Sequence, residues 1–124
     1  MRPGRILADS RGASMVEFAL FAPVFCLLVM GIVECGLLLR AQHALHNAAA
    51  MAARCASVNS SLCGTVAGIR SYAVQQSLGL DPPATSFAVS TPACGTQVTA
   101  SYAVQPVAGF FGSITLTAQA CFPK

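Results

Sequence analysis

The sequence predicts an α+β protein. A long N-terminal membrane-spanning helix extends into an amphipathic helix, followed by a short helix and a small antiparallel three-stranded β-meander. Three observations predict it. An apolar run of roughly 22 residues, at positions 18–39, is long enough for a hydrocarbon core of about 30 Å. An alanine-rich stretch without proline or glycine, residues 40–57, follows directly. Three segments rich in Val, Thr, Ile and Phe, at 86–90, 97–104 and 113–121, occupy the rest with partial alternation.

Composition narrows the class. Hydrophobic residues make up 55% of the 124 and charged residues 9%, where a soluble domain has about 25% charged. With a mean hydropathy of +0.65, that deficit indicates a membrane or a tight assembly. Beyond residue 12, Arg40, Arg54, Arg70 and Lys124 face Glu17, Glu34 and Asp81, leaving one net positive charge. No basic surface remains for a nucleic acid.

At the N-terminus, Arg2, Arg5 and Arg11 precede the apolar run against Asp9 alone, and the next cation is Arg40. This bias places the N-terminus in the cytoplasm and the chain beyond the span across the membrane. Glu17 stands at the mouth of the span, although a carboxylate within a bilayer costs about 2–3 kcal/mol. Glu34 is 16 residues beyond Phe18, roughly 24 Å along a helix, which predicts a place near the outer interface. Pro23 falls within the span, where a local kink is tolerated. Gly31 and Cys35 form a small-xxx-small pair that lets another helix approach.

From Arg40 onward the helical period separates two faces. Arg40, His43, His46, Asn47, Arg54 and Ser57 cluster on one side, and Ala41, Leu45, Ala48, Ala52, Cys55 and Ala56 on the other. The helix therefore continues outward with a face of small residues suited to close packing. Residues 58–64 read as a loop. Thr65 is placed to cap a second helix running to about Leu78, with Gly79 as its stop and Asp81-Pro82-Pro83 as a turn. In the strands, Val98, Ala100, Tyr102 and Val104 share one face, and Ile114, Leu116, Ala118 and Ala120 share another. Residues 105–112 form the loop between them.

Cys55, Cys63, Cys94 and Cys121 lie in the translocated part, where an oxidising compartment permits disulfides. Four cysteines allow three connectivities. The favoured one joins Cys55 to Cys63, stapling the helix end to the next loop, and Cys94 to Cys121, tying the first β loop to the last strand. Cys26 and Cys35 lie in the apolar run, and neither follows the small residue that a lipoprotein site requires. His43 and His46 have no nearby carboxylate and no CxxC spacing accompanies them, so no metal or other cofactor is expected. The sequence carries no HExxH, GxSxG, P-loop or GxGxxG motif, and no enzyme is expected.

A basic leader, a glycine, five residues ending in glutamate and then an apolar helix resembles the processing site of type IV prepilins. The resemblance implies cleavage between Gly12 and Ala13 by a prepilin peptidase, making Glu17 the fifth residue of the mature chain. The freed Ala13 amine would lie at membrane level, where Glu17 could pair with a neighbouring subunit's amine and set the register of stacked helices. Residues 14–23 (SMVEFALFAP) and 31–36 (GIVECG) look more specifically like the TadE-like family, minor pilins of tight-adherence pili. The alanine-rich 48–54 and the strands 98–104 and 114–120 extend that resemblance. It implies partners among other pilin or pseudopilin subunits, the assembly machinery and inner-membrane lipid. Phe18 stands where the much shorter major fibre subunits usually have tyrosine, which separates this chain from the main filament subunit.

The expected organisation is a leader at 1–12, a transmembrane helix at 13–39 and a periplasmic α+β domain at 40–124, in a bacterial inner membrane. Two alternatives remain. A secretion-system pseudopilin would share the junction but usually carries phenylalanine where Ala13 stands. An uncut single-pass protein with a small periplasmic interaction domain would retain residues 1–12.

Overall fold

The computed structural model describes residues 10–107, 109 and 112–124. Residues 1–9 of the expected leader, with Arg2, Arg5 and Asp9, lie outside the described residues, as do Ala108, Phe110 and Phe111 of the expected loop. In order, the elements are α1 (Ser10–Val58), α2 (Ser60–Cys63), α3 (Val66–Gln75), a 3-10 turn (Ala84–Ser86), β1 (Phe87–Ser90), β2 (Thr96–Val104) and β3 (Ile114–Phe122). This is the expected α+β arrangement. The chain divides into two compact units, Met1–Cys35 and Gly36–Lys124.

The first unit contributes the apolar part of α1. The helix runs through Pro23, whose missing N–H leaves the carbonyl of Ala19 without its intrahelical donor. Every large apolar side chain from Met15 to Val33 is exposed, between 42% and 78%. A helix that is apolar all round and uncovered is built to be surrounded by lipid or by other helices.

In the second unit, the outer part of α1 supplies one wall of the core. Ala41, Ala44, Leu45, Ala48, Ala49, Ala52, Ala53 and Cys55 are buried. They fall on the small-residue side that the helical period indicates. Leu45 and the alanines from Ala48 on share one core with Ile69 and Ala73 of α3 and with Phe87, Val98, Ala100 and Ala118 of the sheet. Phe87, in the same cluster, is among the largest fully buried side chains. Burying such a ring is worth about 1.5–3 kcal/mol.

The sheet has the order β1-β2-β3, antiparallel throughout. Its inward face is set by register: Phe87 opposes Ala100, which opposes Ala118, and Val89 opposes Val98, which opposes Ala120. Tyr102 with Leu116 and Val104 with Ile114 continue the row. The alternation expected on 98–104 and 114–120 is therefore the alternation of core and solvent.

Two local differences have clear causes. Residues 58–64, expected as a loop, contain the helical turn α2, because the Asn59 side-chain oxygen accepts from the Leu62 amide at 3.2 Å and from Ser61 Oγ at 2.6 Å. Helix α3 starts where Thr65 predicts, with its hydroxyl accepting from the Gly68 amide at 3.1 Å. It stops at Gln75 rather than Leu78. Leu78 (φ 53°) and Gly79 (φ 81°) are left-handed, and Ser77 Oγ donates to the Val74 carbonyl at 2.6 Å.

Two disulfides fasten the second unit, in the pairing the sequence favours. Cys55–Cys63 has a Cα–Cα distance of 5.8 Å and Cys94–Cys121 one of 6.3 Å. Beside the latter, Gly95 adopts φ +122°, and a Cβ there would collide with the Phe122 carbonyl oxygen. Only glycine fits this approach of the β1–β2 connection to the end of β3.

Candidate functional site

The residues expected at the processing junction lie on one continuous stretch of helix. Gly12 and Ala13 fall in the first turn of α1, which begins at Ser10, so the helix already includes the expected cut. Ala13, Met15, Glu17, Ala19 and Leu20 are strong helix formers, and Val16 is the one β-branched residue among 12–20. A Cβ on Gly12 would meet nothing within 4 Å; nothing in the fold requires glycine here.

Ala13 and Glu17 are four residues apart on α1, hence on the same face and one turn from each other. Glu17 and Phe18 are both exposed. An amine on Ala13 and a carboxylate on Glu17 would thus be presented together on one side of an otherwise apolar helix. A facing helix would meet both charges at the same level.

Farther along, Gly31 and Gly36 are open, with nothing within 4 Å of a built Cβ. Together with free, exposed Cys35, they make a stretch where another helix could approach the backbone closely. The sequence pattern points to Gly31 and Cys35, and the structure adds Gly36. Glu34, expected near the outer interface, is buried, with 7% of its surface exposed.

Cys26 is also free and exposed. Among the described residues, no group of three or more His, Cys, Asp or Glu side chains could hold a metal ion. What the described residues of this stretch present is an exposed carboxylate at Glu17 and an exposed apolar surface.

Residues 12–54 match the family model described as TadE-like protein. The matched segment takes in the Gly12–Ala13 junction, Glu17, the exposed apolar run and the alanine-rich part of α1 as far as Arg54. The family consists of proteins associated with tight-adherence pili. No curated protein and no solved structure matches the chain.

Proposed function

We propose, on the premise that residues 12–54 are those of a TadE-like protein, that this chain is a minor pilin that takes part in building a tight-adherence pilus. The observation that carries the reading is the coincidence of that match with the exposed junction: Gly12, Ala13 and Glu17 on the first turns of a helix whose apolar surface is uncovered. The N-terminus lies in the cytoplasm and the disulfide-bonded second unit in the periplasm. A prepilin peptidase opens the first turn and hydrolyses the Gly12–Ala13 bond. Residues 1–12 leave, and the α-amine of Ala13 stays at membrane level.

The new cation and Glu17 then offset each other's burial when helices associate. An unpaired charge in hydrocarbon is strongly unfavourable, whereas a matched pair fixes how far one helix slides along the next. Phe18 adds a large apolar contact beside the pair. The role is structural and non-catalytic.

Intact mass of the native protein tests the processing step: a chain beginning at Ala13 is expected, and retention of residues 1–12 would exclude it. Glu17→Ala tests the pairing. The variant should still insert and be cut but should fail to enter the assembly, and unimpaired surface fibres would refute the role of the carboxylate.

A further inference from the structure

We propose that the exposed cationic face of α1 beyond residue 39 is a docking surface for an acid-bearing polypeptide other than a second copy of this chain. Arg40, His43, His46 and Arg54 are all exposed. At about 100° per residue they share an arc of about 120°, with half-buried Ala50 between them. Among the described residues neither arginine has an ion pair. No Asp or Glu occurs from residue 36 to residue 80, and Asp81 is the sole acid of the second unit, against Arg40, Arg54, Arg70 and Lys124.

Charge and length decide the occupant. A second copy brings one acid from its own second unit, and its Glu34 is buried. Its Glu17 stands at the opposite end of the apolar run, so it does not present two carboxylates matched to both arginines. From Arg40 to Arg54 the helix rises about 21 Å, whereas the headgroup layer on each side of a bilayer is about 5–8 Å thick. Lipid phosphates next to the apolar run would reach Arg40 and His43 but not the face as a whole. A helix carrying carboxylates one or two turns apart matches both the spacing and the sign. Small Ala50 allows it to come close. A row of exposed pairs of this kind orients a partner and speeds its capture more than it tightens binding. The inference stands apart from the pilus reading, since it rests on the helix face and its charge alone.

The test uses the full-length protein in neutral dodecyl maltoside micelles at about 50 mM salt, where screening is weak. The probe is a fluorescein-labelled, alanine-based helical peptide with glutamate at every seventh position, compared with the same peptide carrying glutamine. The glutamate peptide should bind more tightly. Arg40→Gln with Arg54→Gln should weaken it at least about fivefold, the double lysine variant should restore it, and Lys124→Gln should leave it unchanged. Circular dichroism and the masses of both disulfide-bonded segments establish that each variant is folded. An equal loss in Lys124→Gln, or equal binding of the glutamine peptide, would overturn the proposal. So would loss of peptide binding when phosphatidylglycerol is added to the micelles, which would make headgroups the occupant. A dimer of the protein alone that the arginine variants dissociate would put a second copy on the face and overturn it as well.

Discussion

Gln42 donates from Nε2 to the carbonyl oxygen of Thr117 at 2.7 Å, joining α1 to the edge strand β3 across 75 residues of sequence. An edge strand offers unpaired backbone groups to any other strand, and here a side chain from the helix occupies one of them. Gln42→Leu should destabilise the protein by about 0.5–1.5 kcal/mol, the net worth of one such bond. Urea unfolding followed by the fluorescence of Tyr72 and Tyr102 in a chain without tryptophan would measure it. No change in midpoint would mean that the bond contributes nothing.

Ala52 is fully buried in the core shared by α1, α3 and the sheet. Ala52→Leu adds three carbons where no space exists and should cost about 1–3 kcal/mol. The surface substitution Ala67→Leu, at an exposed position of α3, is the control. Equal stabilities would show that the alanine face is not tightly packed.

The two disulfides should differ in weight. Cys94–Cys121 closes a loop with a sequence separation of 27 and Cys55–Cys63 one of 8. Loop-closure entropy then gives about 3.5 kcal/mol for the first and about 2.5 kcal/mol for the second. Replacing each pair by serines and comparing urea midpoints tests the order, and the reverse order would show that chain entropy does not set it.

Gly12→Leu separates processing from folding. The position is open and leucine is a better helix former than glycine by about 0.8 kcal/mol, so the fold and membrane insertion should be kept. Immunoblots should show uncut precursor accumulating. Normal processing would move the cut elsewhere.

Some of this structure is legible from neighbouring residues and some is not. Thr65 announces its helix because a hydroxyl three residues before a free amide is a local event. The Val98 and Leu116 faces are legible because strand alternation maps directly onto burial. The Ala48–Ala52 face is legible because a helix buried on one side needs one kind of residue there. The turn α2 is not legible, because Asn59 and the serines after it are equally at home in a loop. The end of α3 depends on a left-handed Leu78, a conformation the residue itself disfavours. The bond from Gln42 to Thr117 depends on a distant part of the chain. At the candidate site, the junction and its glutamate were legible as a pattern, whereas its position inside the first helical turn was not.

The alanine seat of α1 has a mechanical consequence. Leucines or methionines can absorb a small displacement by changing rotamer, but alanine has no side-chain torsion to give. Between Ala48 and Ala53, four alanines of the helix are almost completely buried in one core with Phe87, Val98 and Ala100. The second unit therefore has little internal slack: a load on it is carried by backbone and by two covalent cross-links, and it yields by breaking contacts rather than by creeping.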